Sequence, residues 1–161
     1  MHHRSRSWVR RRLRSLAGLE LLNIPLQFAL WFGWVGLPIT VVNLVGFTLF
    51  ALLLLQGAGY WTAKLRQSAA PGPLPGAGIF AAARWVDVPV LAAGVLFIGW
   101  AAARDPGATT WPGLVFGLFA VLEYVNYFHV QLMYDNAEDL SYLRTHGLRR
   151  AHLARDLRRR R

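Results

Sequence analysis

The chain contains no cysteine among its 161 residues. It therefore forms no disulfide, holds no thiolate-bound metal, has no cysteine nucleophile and carries no lipid on a cysteine. Acidic residues are also scarce, because 8 aspartates and glutamates stand against 18 lysines and arginines, for a formal charge of +10. A basic excess of this size is typical of nucleic-acid-binding proteins as well as of membrane proteins. The positions of the charges in the sequence distinguish these two classes.

Charges are almost missing from four long hydrophobic runs, at residues 16–34, 37–61, 79–103 and 110–134. Each run reaches the roughly 20 residues that a helix needs to cross the hydrocarbon core. None alternates strictly between polar and apolar residues, so helices are favoured over strands. The sequence predicts an all-α integral membrane protein with four transmembrane helices in an up-down bundle over residues 16–134.

Most of the basic residues lie outside these runs. Six arginines fall in a short arm at residues 1–15, eight in a tail at residues 135–161, and Lys64 and Arg66 follow the second run. Four spans place all three groups on one side, and the positive-inside rule makes that side the cytoplasm. We therefore expect a multi-pass protein of the cytoplasmic membrane, the inner membrane of a bacterium, with both termini cytoplasmic. Anionic lipid headgroups are the expected partners of the basic arms, and nucleic acid is not favoured.

Two connecting stretches carry further expectations. Residues 64–78 are basic at first and then rich in proline and glycine, which predicts a flexible or extended linker. The leucines of residues 135–161 fall on no single helical face, which predicts a basic tail near the headgroups. Residues 158–161 lie beyond any apolar pattern and are predicted to be dispensable for folding.

Polar residues inside the runs are the most informative feature. On the fourth run, Glu123 lies roughly 18 Å above Asp135 at a rise of about 1.5 Å per residue, near the bilayer centre. On the first run, Glu20, Asn23 and Gln27 share one helical face in the cytoplasmic half. A charge at the bilayer centre costs about 2.5–3.5 kcal/mol, so these groups must face protein, water or a ligand. The matched depths predict a polar site in the cytoplasmic half of the bundle.

Each candidate residue has an assigned role and a structural alternative. The candidate acid–base residues are Glu123, His129 and Asp87, and the candidate ligand-binding residues are Glu20, Asn23, Gln27, Arg84, Asn126, Tyr127 and Gln131. Matched depth predicts three contacts: Gln27 with Glu123, Asn23 with His129, and Arg84 with Glu20 or Asp87. The alternative is that the amides and tyrosines only join helices, which is their commoner role in membranes.

Three functions fit this pattern. A protein that binds a lipid-like ligand, or that serves as a subunit of a homo-oligomer or larger membrane complex, needs no catalytic set and is favoured. A membrane-embedded enzyme on a lipid or isoprenoid substrate could use Glu, His and Asp. A small proton-coupled transporter could relay protons through Glu123 and His129. The sequence identifies no cofactor. Glu123 and His129 are the candidate ligands if a metal is bound, but they are six residues apart and do not form the Glu-x-x-His motif of di-metal bundles.

Overall fold

The computed structural model describes residues 6–70, 72–133, 141, 143–145 and 147–158. Its helices are α1 (Arg6–Phe28), which continues as a π-helix (Ala29–Trp34), then α2 (Val41–Ala69), α3 (Ala77–Arg104), α4 (Trp111–Phe128) and α5 (His152–Arg158). No strand occurs in this part of the chain, although one isolated β-bridge joins Val130 to Arg150. The predicted all-α class is confirmed.

Three helices are long and apolar enough to cross a membrane. They are α1 with its π-helical extension, at 29 residues, α2 at 29 residues and α3 at 28 residues. α4 has 18 residues, or about 27 Å of length, slightly less than the roughly 30 Å of a hydrocarbon core. Large apolar side chains such as Leu96 (73% exposed) and Trp85 (74%) point away from the bundle. These features are those of a membrane protein.

The two central helices are α2 and α4, which pack closely on each other. α1 packs mainly on α2, and α3 packs against both α4 and α2. A side chain on Gly46 or Gly113 would collide with the facing backbone, so these glycines allow the helices to touch. Asn43 is fully buried there. Its amide donates to the Pro38 and Ala108 carbonyls at 2.9 Å each and accepts from the Gly113 N–H at 2.8 Å.

Two apolar clusters fill the bundle. An aromatic cluster near the Thr40 end joins Phe32, Phe47, Phe50 and Phe116, and the Phe47 and Phe116 ring centroids are 5.3 Å apart. The π-helical segment turns Phe32 into this cluster, where it is 7% exposed. The other cluster extends to the Lys64 end, where Tyr60, Phe128 and Leu153 are almost completely buried.

Several helix ends differ from the sequence-based boundaries. α1 begins at Arg6 rather than near residue 16, because its arginines are good helix formers and residues 6–15 contain no proline or glycine. α2 continues through Ala69, so the prediction of a flexible linker is wrong for residues 64–69. That stretch likewise has no proline or glycine, and Lys64 donates to Gln67 at 3.0 Å.

The helix of the fourth run, α4, ends at Phe128, six residues before the predicted end at residue 134. The chain turns there because the Asn126 side chain accepts from the Leu132 N–H at 2.8 Å. The following residues pair with the C-terminal segment: Gln131 N–H donates to Arg149 O at 2.9 Å, and Ala151 N–H donates to His129 O at 3.1 Å. Hydrogen bonds to the backbone of the C-terminal segment thus replace those that a further turn of α4 would make.

The C-terminal segment packs on the bundle, a contact that the sequence analysis did not predict. Leu153 is 2% exposed, and Leu157, one turn later, joins the same cluster. Asp156 accepts a 2.9 Å hydrogen bond from Tyr60 and forms a 3.1 Å ion pair with Lys64. The α5 helix therefore covers the end of the bundle at Lys64, here named the basic end. Of the residues predicted to be dispensable, 159–161 lie outside the described part of the chain.

Candidate functional site

A deep groove separates α1 from α4. Because α1 leans on α2, its flank towards α4 stays open, and a cavity of about 760 Å³ lies between the two helices. Phe50 and Leu54 of α2 form its floor. On α1 it runs from Leu16 to Trp31, which is about 22 Å along the helix axis. The groove is therefore long and narrow, and it opens sideways from the bundle.

Most of the groove wall is hydrocarbon. Its upper part, towards Thr40, is lined by apolar and aromatic side chains: Leu26, Trp31, Leu37, Phe50, Trp111, Pro112, Val115, Phe116 and Phe119. The lower part, towards the basic end, holds Glu20 and Glu123 among leucines. Asn23 and Gln27 also line the cavity. An elongated apolar molecule with one polar end matches this distribution.

The polar side chains of α1 form a chain along the groove. The Trp31 indole donates to Gln27 Oε1 at 2.7 Å, and Gln27 Nε2 donates to Asn23 Oδ1 at 3.1 Å. Each bond joins residues four apart, so one helical face presents them in sequence. These bonds satisfy the amides partly within α1, which lets the helix place them beside an apolar surface without a partner helix.

Tyr127 connects α4 to α1 at the lower end. Its side chain is 5% exposed and its hydroxyl donates to Glu20 Oε1 at 2.5 Å. The ring passes over Gly57 of α2, where a Cβ atom would collide with the phenol oxygen. Glycine at this position is what allows the hydroxyl to reach across the bundle. Glu20 is thereby held in a fixed position at the polar end of the groove.

Glu123 is held more loosely. Asn126 donates to its Oε2 at 3.4 Å, which is a long hydrogen bond. No ion pair joins Glu123 or Glu20 to a described lysine or arginine. The lower end of the groove therefore offers two carboxylates that can accept hydrogen bonds, and no described cation of the protein lines it. Such a site fits a headgroup that donates hydrogen bonds.

The other predicted site residues lie away from the groove. Asp87 is buried between α3 and α2, where Gln56 donates to it at 2.8 Å. The Arg84 carbonyl accepts from the Tyr124 hydroxyl at 2.9 Å, and the His129 ring lies 5.3 Å from the Tyr124 ring. Gln131 bonds to Met133 O and accepts from Arg149 at 2.8 Å each.

The predicted residues thus form two groups. Glu20, Asn23, Gln27 and Glu123 line the groove, and Tyr127 and Asn126 bond to two of them. Asp87, Arg84, His129 and Gln131 do not line it. Among the described residues, no group of three His, Asp or Glu side chains could hold a metal. Glu123 and His129 are therefore not part of a metal-binding cluster within these residues.

The predicted pairs are not formed. Gln27 and Glu123 both line the groove, but the Gln27 amide bonds to Asn23 and Trp31 instead. Asn23 contacts Gln27 in place of His129. No ion pair within the described residues joins Arg84 to Glu20 or Asp87, and the Arg84 guanidinium lies 5.9 Å from the Trp85 ring. Polar groups at the same depth need not lie on neighbouring helices, because α1 packs mainly on α2 and α3 packs on α4 and α2.

Two groove-forming positions, Trp31 and Gly57, were missed at the sequence level. Trp31 was not included among the candidate residues, although its spacing of four from Gln27 is visible in the sequence. Gly57 carries no signal by itself, because its role depends on a ring that arrives from another helix. Comparison of this chain with protein-family models, with curated proteins and with solved structures finds no match. The function is therefore inferred from the chemistry of the groove.

Proposed function

We propose that this protein is a membrane-embedded binding protein whose groove between α1 and α4 holds a lipid-like ligand. The observation that carries the proposal is the shape and lining of the cavity, about 760 Å³ of apolar space with carboxylates at one end. An acyl or isoprenoid chain fits beside Phe50, Val115 and Phe119, and the headgroup fits beside Glu20 and Glu123. Burial of the chain against side chains replaces contact with other lipid tails and positions the headgroup.

The proposal includes a topology. The bundle crosses the cytoplasmic membrane four times, and its basic end faces the cytoplasm. The Lys64–Asp156 ion pair supports this arrangement, because it brings the basic end of α2 and the C-terminal α5 to one level. Arg10, Arg11 and Arg14 line a shallow concavity on α1 below the groove. Arginines in this position attract anionic headgroups, with about 1 kcal/mol for each residue near the surface.

The headgroup is inferred to be a hydrogen-bond donor, such as a hydroxyl or an ammonium group. Glu20 accepts a short hydrogen bond from Tyr127, whereas Glu123 has the long bond from Asn126. A phosphate would meet two carboxylates with no described cation in the groove lining, so anionic lipids are disfavoured there. The arginines outside the groove and the carboxylates inside it therefore select opposite headgroup charges.

The test is native mass spectrometry of protein extracted without added lipid, using Val115→Trp to fill the groove. Val115 lines the groove and is 51% exposed. Leu118→Trp is the matched control, because Leu118 is 49% exposed on the same helix and does not line the groove. We expect a bound species of lipid mass on the wild type and on Leu118→Trp, and its loss from Val115→Trp.

Two results would contradict the proposal. Equal retention by both variants would place the bound lipid outside the groove. A wild type that carries no lipid-sized species, but that runs with a stoichiometric protein partner released by Val115→Trp, would show that the groove is a subunit interface.

A further inference from the structure

The strongest feature outside the groove is a buried pair of polar side chains between α2 and α3. Asp87 is 2% exposed, and the Gln56 Nε2 group donates to its Oδ1 at 2.8 Å. The two remaining oxygens of this pair, Asp87 Oδ2 and Gln56 Oε1, are also buried and have no hydrogen-bond partner in the described structure. Both oxygens are acceptors, so a donor is missing from the pair.

Protein groups next to Asp87 do not supply that donor. Arg84 is three residues earlier on α3, but its guanidinium carbon lies 5.9 Å from the Trp85 ring centroid and forms no ion pair with Asp87. The Tyr124 hydroxyl of α4 donates to the Arg84 carbonyl at 2.9 Å. An ionised carboxylate here would be buried without a compensating charge among the described residues, which is strongly unfavourable.

We propose that Asp87 is a proton-binding site, held as the neutral acid with its Oδ2–H donating to Gln56 Oε1. A carboxylic acid and a primary amide are complementary, since each offers one donor and one acceptor in the same plane. The observed bond from Gln56 Nε2 to Asp87 Oδ1 is one half of that pair. One added proton supplies the other half and satisfies both orphaned oxygens at once. The site is separate from the groove, whose lining does not include Asp87.

The bound proton has a structural consequence. It joins α2 to α3 by two hydrogen bonds without placing a charge between them. Loss of the proton would leave a charge and two unsatisfied acceptors between these helices, and the α2–α3 contact would weaken. Proton binding at Asp87 and packing of α3 are therefore coupled by linkage.

The test is infrared spectroscopy at neutral pH on protein labelled with ¹³C in its aspartate carboxyl groups. This label separates aspartate from Glu20 and Glu123. We expect an isotope-shifted band of a protonated carboxyl group in the wild type and its loss in Asp87→Asn. Asp105→Asn is the matched control, because Asp105 is exposed and its carboxylate accepts from Thr109 at 3.0 Å. The band should persist in that variant.

Two further measurements keep the test decisive. In Gln56→Leu the band should move to higher frequency, because the acid carbonyl loses the bond from Nε2. The Asp87→Asn protein should melt within a few degrees of the wild type, since an asparagine amide reproduces both bonds to Gln56. A labelled wild type that shows only ionised carboxylate bands would overturn the proposal. A melting temperature that rises with sodium in the wild type but not in Asp87→Asn would assign the site to a cation instead.

Discussion

Glu20 and Glu123 line the same groove but differ in their partners. Glu20 receives a 2.5 Å hydrogen bond from Tyr127, whereas Glu123 receives only a 3.4 Å bond from Asn126. Tyr127 therefore fixes Glu20 as part of the bundle, and Glu123 keeps most of its capacity to accept hydrogen bonds. Under the proposed function, Glu123 is the carboxylate that contacts the headgroup most directly.

The first prediction concerns Glu123→Gln. The amide keeps most hydrogen bonding with Asn126 and removes a costly charge, so the melting temperature in detergent should be unchanged or slightly raised. Retention of the bound ligand should fall about tenfold or more, which corresponds to the roughly 1.5–3 kcal/mol of a charge-assisted hydrogen bond. Ligand retained per protein, measured by mass spectrometry, is the readout. Unchanged retention would assign Glu123 a purely structural role.

The second prediction concerns Gly57→Ala. The added methyl group collides with the Tyr127 hydroxyl, so the ring must move away from Glu20. Overpacking of this kind costs about 1–3 kcal/mol. Gly59→Ala is the matched control on the same helix, because its Cβ would meet only the Phe80 ring at an ordinary 3.9 Å. Thermal unfolding should separate the two variants, and equal melting temperatures would show that Tyr127 does not need this path.

At the scale of elements, the C-terminal segment is part of the folded bundle. Leu153 is 2% exposed, and Asp156 bonds to both Tyr60 and Lys64 of α2. The backbone bonds between residues 129–131 and 149–151 anchor the segment to the end of α4. These contacts make α5 a cover for the basic end, so its removal would expose apolar surface there.

The third prediction compares two leucines of that segment. Leu153→Ala should destabilise the protein by about 2–5 kcal/mol, because it leaves a cavity in the core. Leu148→Ala should change stability by no more than about 0.5 kcal/mol, since Leu148 is 63% exposed. Truncation after Leu157 should also leave the melting temperature nearly unchanged. A similar effect of the two alanine variants would show that α5 does not pack stably on the bundle.

The sequence predicted the extents of the helices better than it predicted which helices pack together. The third run was placed at residues 79–103, and α3 covers Ala77–Arg104. Hydrophobic length determines such spans directly. The end of α4 could not be predicted, because it depends on pairing with residues 149–151, far away in the chain. The groove likewise depends on α1 leaning on α2 rather than α4, a choice of partner for which hydrophobic composition gives no signal.

The depth of each polar residue in the membrane, estimated from the helical rise, identified part of the candidate site. Glu20, Asn23 and Gln27 were predicted to share a face, and they do line one groove with Glu123. Depth also grouped Asp87 with them, but Asp87 lies between α2 and α3. Depth specifies a level in the bundle and not the direction in which a side chain points, so two separate polar sites were merged into one.

At the scale of the whole molecule, the fourth prediction is the topology. With the basic end in the cytoplasm, cysteines introduced near Arg6 and Arg158 should react only with reagents that reach the cytoplasm. A cysteine at Gly107, in the connection between α3 and α4, should react from outside. The chain has no native cysteine, so each variant reports one position. External labelling at either end would contradict four spans with both termini inside.

Under the proposed topology and function, a ligand would enter the groove from the cytoplasmic leaflet. The groove opens sideways between α1 and α4, and its carboxylate end lies towards the basic end. A lipid of that leaflet would meet the groove with its headgroup towards the carboxylate end. Its chain would then lie along α1 between Glu20 and Trp31, a distance of about 16 Å.

The most direct test of the proposed function is an experimental density map of the protein extracted from its own membrane without added ligand. We expect elongated density between α1 and α4, with its thin part beside Phe50, Val115 and Phe119 and its bulky end within hydrogen-bonding distance of Glu123. A groove closed by contact between α1 and α4, or filled by a side chain of a second protein, would contradict the proposed lipid-binding function.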